Sequence, residues 1–217
     1  MSNAAGGPPS GRPPRILFLD DSLVVVDKPP GMPSVPARTP HDPADVARVL
    51  LATVPGWIEA VHRLDRDTSG ILVLARTAAA RAALGRAFEN GDVRKSYVAI
   101  VTGRPPALSG TIHQPLAGDE LRPPRQRIDP VLGRPATSRW TTLAADSATT
   151  LLALEPVTGR SHQLRAHLAW LGCPIVGDRL YCGPAASRLW LHAARISFPH
   201  PLTQQPLCLG VPLCLDK

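Results

Sequence analysis

The amino-acid sequence predicts an α+β fold, in which the strands of a sheet are accompanied by a few helices. Two observations favour this class. Short apolar runs of strand length follow one another along the chain, and segments with apolar residues at helical spacing lie between only some of them. Because helices and strands do not alternate regularly, a βαβ array is disfavoured.

The N-terminal strands are predicted to form a hairpin. Ile16–Leu19 and Leu23–Val26 are short apolar runs separated by a polar turn, and the Lys-Pro-Pro-Gly segment at 28–31 ends the second strand. A helix is expected next, with Asp42 as its N-cap and Pro43 as its first helical residue.

The middle of the chain predicts a strand, a helix and a second strand, followed by a basic loop. Ile71–Ala75 is an uninterrupted apolar run, typical of a buried strand. Thr77 is expected to cap a helix that ends at Asn90–Gly91, and Lys95–Val101 is the next strand. Residues 104–136 are rich in Pro, Arg and Gly, and the stretch 121–127 within them predicts a basic loop and not a helix or strand.

The C-terminal part predicts more strands around one helix. Ser161 is expected to cap this helix, whose apolar stripe is Leu164, Leu168 and Leu171. The predicted strands are Trp140–Leu143, Leu151–Glu155 and Leu189–Phe198.

The length and composition predict one domain. The chain has 217 residues, and residues 1–14 are so rich in Gly, Pro and Ser that we expect them to be disordered. A single catalytic domain is therefore expected over residues 15–217. No apolar stretch approaches the roughly 18 residues of a membrane-spanning helix, and the start does not resemble a signal peptide, so a cytoplasmic protein without a membrane role is expected.

The net charge favours a polyanionic partner. The spacing of the cysteines and histidines does not favour a metal site. The formal net charge is +7, which favours nucleic acid over an acidic small molecule. The four cysteines contain no CxxC pair and indicate neither a disulfide scaffold nor a zinc site. His162 and His167 are five residues apart on the predicted helix and lie on separate faces, so we expect no metal site.

Two short charged segments are the strongest indication of a functional site. His62–Gly70, with the sequence HRLDRDTSG, places two carboxylates and two arginines directly before a buried strand. Such a cluster is costly to desolvate unless it is paired or lines a cleft. In the second segment, GRSHQLRAH at 159–167, Arg165 lies in the first turn of its helix, where the helix dipole disfavours a cation. We therefore expect an anion close to Arg165.

Both segments resemble motifs of the RluA-type pseudouridine synthases. The family motifs are HRLDxxTSG and GRxHQLRxH, and Lys95–Tyr97 is similar to a third, KxY. Asp27–Gly31 resembles the NKPxG element, in which we interpret Lys28 as scaffold. The resemblance extends from about Leu23 to Leu213. It implies a mixed, largely antiparallel central sheet of the pseudouridine synthase type, flanked by helices and loops, without an added S4 domain.

The resemblance also implies a reaction and roles for individual residues. Asp65 would be the catalytic carboxylate, Arg165 would pair with it and keep it ionised, and Tyr97 would stack on the target base. The implied reaction converts uridine to pseudouridine: the bond from N1 to C1′ breaks, and C5 joins C1′. No redox step or group transfer is involved, so no cofactor is expected. Whether Asp65 attacks C1′ or removes a ribose proton is left open.

The resemblance and the basic loop together indicate how RNA would be bound. The target uridine must leave its stack, which costs least in a loop, so the expected partner is a structured loop of 23S ribosomal RNA, of transfer RNA, or of both. A monomer is expected. His62 could either pack beside the site or contact phosphate. The expected substrate-binding residues are His62, Arg63, Leu64, Arg160, His162, Arg122, Arg125 and Arg127.

Two other functions stay open from the residues alone. A retaining glycosidase would need a second carboxyl group about 5 to 5.5 Å from the first, and only Asp67 and Glu155 are candidates. A non-catalytic RNA-binding module would be supported by the positive charge alone.

Overall fold

One large sheet is the main element of the fold. Among residues 12–36 and 43–214, which the computed structural model describes, ten strands belong to this sheet and two more form a separate ribbon. The strands are β1 (Arg15–Leu19), β2 (Leu23–Lys28), β3 (Glu59–Ala60), β4 (Ser69–Ala75), β5 (Arg94–Thr102), β6 (Ser109–His113), β7 (Leu116–Gly118), β8 (Gln126–Ile128), β9 (Thr137–Ala145), β10 (Thr149–Pro156), β11 (Leu191–Pro199) and β12 (Pro206–Gly210). The helices are α1 (Val46–Leu50), α2 (Ala78–Asn90) and α3 (Gln163–Trp170).

The strand order places distant parts of the chain side by side. The main path of the sheet runs β1-β2-β4-β11-β5-β10-β9-β6, with β3 paired to β4 and β12 paired to β11, while β7 and β8 form the ribbon. Among the described strands, β4 and β11 are the one parallel pair, and the other pairs are antiparallel. The predicted α+β class with a mixed, largely antiparallel sheet is therefore confirmed.

Several predicted elements are present with the expected ends. The β1–β2 hairpin pairs antiparallel, and β4 is buried along its whole length. The hydroxyl of Thr77 accepts the backbone N–H of Ala80 at the start of α2, and Gly91 ends this helix in the left-handed conformation. Helix α2 packs against β4, and α3 packs against β9 and β10. No helix of the described residues is long and apolar enough to span a membrane.

The sequence predicted no strand within 104–136, yet three strands lie in this region, and the predicted basic loop at 121–127 is wrong at its end because β8 begins at Gln126. Strand β6 pairs with β9 at the edge of the sheet, and β7 and β8 pair with each other. Apart from Ile112, the residues of β6 are not buried, so the strand has almost no apolar pattern to reveal it. Gly110 allows close pairing, since a Cβ at this position would lie 2.1 Å from the Trp140 ring.

The first helix begins later than the sequence predicts. It starts at Val46, and Asp45 is its N-cap, with a side chain that accepts the backbone N–H groups of Ala47 and Arg48. Pro43 therefore precedes the helix. The predicted cap Asp42 lies outside the described residues, as do residues 1–11 of the predicted disordered segment.

The cap predicted for α3 is also wrong. Residue His162, with a left-handed φ of 50°, precedes the helix, and no side chain caps it. Instead of a Ser161 cap, the buried Gln163 side chain holds the preceding turn. Its Oε1 accepts the Thr158 hydroxyl at 2.7 Å and the Arg160 N–H at 2.9 Å.

Gly70 allows the parallel contact between β4 and β11. Its φ is +107°, and a Cβ at this position would lie 2.3 Å from the backbone oxygen of Ala193. No side chain fits there without moving one of the two strands. The last residue of the HRLDRDTSG segment is therefore fixed by the sheet, and the loop before it ends at a rigid point.

We predict that Gly70→Ala lowers the free energy of unfolding by about 2 to 4 kcal/mol, because it adds backbone strain and a steric clash with β11. Chemical denaturation measures this loss. Gly85→Ala is the matched control, because Gly85 lies within α2 with open space around it and should gain about 0.5 to 1 kcal/mol. Equal effects of the two substitutions would contradict the role of Gly70.

Candidate active site

A cavity of about 610 Å³ lies where the 62–68 loop, the start of β5, the end of α2 and the turn before α3 meet. The three predicted catalytic residues Asp65, Tyr97 and Arg165 all line it. Five of the eight predicted substrate-binding residues line it too: His62, Arg63, Leu64, Arg160 and His162. The arginines of the basic loop are not part of its wall.

Asp65 and Arg165 form an ion pair in this cavity. Arg165 Nη1 donates to Asp65 Oδ2 at 3.1 Å, across 100 positions of sequence. The Asp65 side chain is 21% exposed, whereas that of Arg165 is only 6% exposed. The other carboxylate oxygen, Oδ1, makes no hydrogen bond to any described residue. The anion expected near Arg165 is confirmed, and Asp65 keeps one oxygen available to a substrate.

Asp178 is a site residue that sequence reasoning missed. Its carboxylate accepts two hydrogen bonds from Arg165, from Nε at 2.7 Å and from Nη2 at 2.8 Å, and its side chain is 0% exposed. Burial lowers the pKa of Arg165, but the hydrogen bonds and charge of Asp178, assisted by Asp65, outweigh burial and raise it. Arg165 is thus permanently charged and held in one orientation. The only signal in the sequence was the Gly177–Asp178 pair, typical of a turn.

Tyr181 is a second residue that was missed, and it connects the site to the basic loop. Its ring lies between two guanidinium groups, 5.2 Å from that of Arg165 and 5.3 Å from that of Arg125. Its hydroxyl accepts the backbone N–H of Gln126 at 2.8 Å and contacts Nδ1 of His162 at 3.1 Å. The basic loop therefore contacts the active site through Tyr181, although it does not line the cavity.

Tyr97 presents its ring to the cavity from the middle of β5, between β10 and β11. Burial raises the pKa of its hydroxyl, and the negative charge of Asp65 adds to this effect. The phenol is therefore neutral at physiological pH. Such a side chain offers an apolar face and a hydrogen-bond donor.

The two histidines of the cavity differ in their surroundings. His162 Nε2 lies 3.9 Å from Asp65 Oδ2, and burial lowers its pKa despite this carboxylate. His62 Nε2 accepts the backbone N–H of Val73 at 3.0 Å, and its ring centroid lies 4.9 Å from that of Phe88. Burial, with a smaller effect of a nearby lysine charge, lowers the pKa of His62 to about 3. Of the two roles considered for His62, these contacts favour packing beside the site.

The residues next to Asp65 in the chain differ in burial and in their partners. Arg63 is exposed and makes no ion pair with any described residue, while Asp67 pairs with Arg66 at 3.6 Å. Leu64 is 4% exposed, so its side chain is a core residue that closes the cavity wall. Its backbone is fixed on both sides by Ser34, whose Oγ accepts the Leu64 N–H at 3.1 Å and donates to the Leu64 carbonyl at 2.9 Å.

Lys28 holds the backbone of the loop that carries Asp65, as its interpretation as a scaffold residue predicts. Its Nζ donates to the carbonyl oxygens of Pro29, Met32 and Arg66 at 3.0, 2.8 and 2.9 Å. Burial lowers the pKa of Lys28 to about 7, although nearby aspartates act in the opposite direction. The end of β2 and the loop that carries Asp65 are thereby joined.

The described residues contain no group of three or more His, Cys, Asp or Glu side chains placed to hold a metal ion. Four free cysteines are present, of which Cys173 is buried and Cys182, Cys208 and Cys214 are exposed.

Comparison with known proteins identifies the family. The family model described as RNA pseudouridylate synthase matches residues 22–170. The dual-specificity RNA pseudouridine synthase RluA of Escherichia coli strain K12 is 42% identical over 192 residues, covering 86% of this chain and 87% of the relative. RluA of Pasteurella multocida is 40% identical over 202 residues, with 91% and 92% covered.

Two solved structures agree with this result. Human RNA pseudouridylate synthase domain containing 1 superposes with a TM-score of 0.78 at 27% identity, covering 92% of this chain and 83% of that one. Human RNA pseudouridylate synthase domain containing 4 gives 0.77 at 25% identity, with 93% and 89% covered. The chain therefore belongs to the RNA pseudouridylate synthase family, is of the RluA type, and is an enzyme that isomerises uridine in RNA.

Proposed function

We propose that this protein converts uridines in loops of structured RNA to pseudouridine, with Asp65 as the carboxylate that acts on the ribose. The observation that supports this most directly is the Asp65–Arg165 pair in the wall of a cavity, with Asp178 behind it. Both routes considered for the reaction require an ionised carboxylate held beside the ribose of the target nucleotide. The free Oδ1 of Asp65 is the atom that would meet the sugar.

The chemistry requires no group beyond the chain and the RNA. The bond between N1 and C1′ breaks, the detached uracil rotates, and C5 bonds to C1′. The hydrogen on C5 leaves as a proton and N1 takes up a proton, so the product is an isomer of uridine. Asp65 acts either as the nucleophile at C1′ or as the base that removes a ribose proton. Arg165 stabilises the carboxylate in both cases, and Tyr97 offers a flat face on which the uracil can rest.

We infer the RNA class from the relatives and the charge. The RluA relatives are named as dual-specificity enzymes, so we propose 23S ribosomal RNA, transfer RNA or both as substrates. The basic loop is partly neutralised: Arg122 and Arg125 lie 4.0 Å from Asp119, and Arg127 lies 2.6 Å from Asp129. Arg122, whose side chain is 70% exposed, is the most accessible of the three for a phosphate.

The rival readings find less support. Asp67 and Glu155, the two carboxylates expected to serve a retaining glycosidase, do not line the cavity. A binding module would not need a buried ion pair with one free carboxylate oxygen inside a cavity.

We also propose the remaining properties. One catalytic domain spans residues 15–217, supported by a sheet that runs from Arg15 to Gly210. The protein acts as a monomer in the cytoplasm, and it uses neither a cofactor nor a metal.

We predict that Asp65→Asn lowers the rate of tritium release from RNA labelled at uridine C5 by about 10⁴-fold or more, because the reacting carboxylate is lost. Binding of the same RNA should be unchanged. Asp67→Asn is the matched control, since Asp67 is exposed outside the cavity and pairs with Arg66. Comparable release by Asp65→Asn and the wild type would refute the proposed function.

Asp178→Asn should slow the reaction by about 10²-fold with RNA affinity retained, because Arg165 loses the charge that orients it towards Asp65. The measurement is the single-turnover rate at saturating RNA. Asp146→Asn removes an aspartate that caps an exposed turn and serves as control. A wild-type rate in Asp178→Asn would show that Asp178 does not position Arg165.

Alanine at Arg122 is expected to weaken RNA binding and to reduce the slope of log affinity against log salt by about 0.7 to 0.9, as for the loss of one phosphate contact. Arg127→Ala should change the slope less, because Asp129 already compensates this charge. Filter binding over a range of salt concentrations measures both. Identical slopes for wild type and both variants would exclude the basic loop from RNA binding.

A further inference from the structure

The cavity contains a cation that the proposed chemistry does not use. Lys95 lies near the start of β5 and lines the cavity together with Asp65 and Tyr97. Its Nζ lies 5.7 Å from the centroid of the Phe88 ring, and a Cβ at Gly159 would be 3.8 Å from it. The ammonium group is therefore enclosed between the end of α2 and the turn that precedes α3.

This ammonium group has no counter-charge among the described residues. It makes no hydrogen bond or ion pair with them, and the nearby Glu89, which also lines the cavity, does not reach it. The buried Lys28, in contrast, donates to three carbonyl oxygens. Burial lowers the pKa of Lys95 and no acid opposes this effect. The Phe88 ring is a weak, uncharged cation–π partner. A half-buried ammonium group without a carboxylate beside it destabilises a fold, so packing alone gives little reason for a lysine here.

The position of Lys95 relative to the reacting groups indicates what could bind it. Lys95 and Tyr97 are two residues apart on one strand, so they point to the same face about 6 to 7 Å apart. Asp65, Lys95 and Tyr97 line one cavity, so a nucleotide with its uracil on Tyr97 and its ribose at Asp65 would have its backbone next to the wall that carries Lys95. The flexible stem of a lysine and its three donors suit a phosphate.

We propose that Lys95 binds a backbone phosphate adjacent to the everted uridine, so that the cavity holds a phosphate subsite beside the ribose and base. The proposal rests on the proposed function, because it takes the ligand of the cavity to be an RNA nucleotide. Phosphate supplies the counter-charge that the described residues do not provide at this point. Lys95 then acts in substrate binding and not in bond making.

The first test compares Lys95→Met and Lys95→Arg with wild type. The probe is a synthetic stem-loop RNA with one uridine in its loop, and filter binding is measured over a range of salt concentrations. Lys95→Met should bind about 10- to 100-fold more weakly, with a salt slope lower by about 0.7, while Lys95→Arg keeps most of the affinity. Arg104→Met is the control, because it removes a positive charge just beyond the opposite end of β5. An unchanged affinity and slope for Lys95→Met would overturn the proposal.

The second test removes the charge from the RNA. Stem-loops with a methylphosphonate linkage on the 5′ or the 3′ side of the uridine lack one phosphate charge. At one of the two positions, wild type should lose as much affinity as Lys95→Met loses, and Lys95→Met should lose little more. Additive losses at both positions would show that neither phosphate meets Lys95 and would overturn the proposal.

Two further readouts separate other roles of Lys95. If Lys95→Met reacts more slowly at saturating RNA but binds RNA with unchanged affinity, Lys95 contacts the departing uracil and the phosphate proposal is overturned. Thermal unfolding of Lys95→Met should occur at the same or a higher temperature, because a half-buried charge without a counter-charge is removed. A lower melting temperature with unchanged RNA affinity would make Lys95 a packing residue.

The experiment also distinguishes this proposal from the proposed function. Coupling between Lys95 and a phosphate in a protein that releases no tritium would keep the phosphate subsite and refute the enzymatic proposal. Tritium release without such coupling would keep the enzymatic proposal and refute the phosphate subsite.

Discussion

The guanidinium group of Arg165, held between two carboxylates, is the interaction on which the site depends. Asp178 takes two hydrogen bonds from Arg165 in a buried environment, and Asp65 takes one at the cavity wall. One carboxylate would leave at least one of the three guanidinium nitrogens without an acceptor, whereas the two carboxylates together give each nitrogen one. Asp65 can therefore be fixed through one oxygen and leave the other to the substrate.

Contacts from the surrounding structure fix the backbone of the loop that carries Asp65. Lys28 and Ser34 bind backbone groups on both sides of Asp65, and Gly70 lets the loop enter β4 in contact with β11. Because these contacts reach backbone atoms, they leave the Asp65 side chain free to act. The partly exposed Asp65 carboxylate is thus carried on a backbone that is fixed on both sides, as a reaction at a sugar carbon requires.

The sequence predicted the parts of this arrangement that carry strong local patterns. The charges of HRLDRDTSG and the cation at the start of α3 indicated a site, and Thr77 and Gly91 defined the ends of α2. The role of Asp178 could not be predicted, because a single aspartate in a turn meets Arg165 only after α3 has packed. Strand β6 could not be predicted for a related reason. Its partner β9 is distant in sequence, and the residues of β6 are mostly exposed, so they show no apolar pattern.

A crystal structure of the protein with a uridine-containing RNA stem-loop would test the central claim most directly. The quantity to measure is the distance from Asp65 Oδ1 to C1′ of the target nucleotide. We predict an everted uridine with this distance at about 3 to 3.5 Å and with the Asp65–Arg165 pair intact. A uridine that stays stacked in the RNA loop, or a ribose placed away from Asp65, would contradict the account.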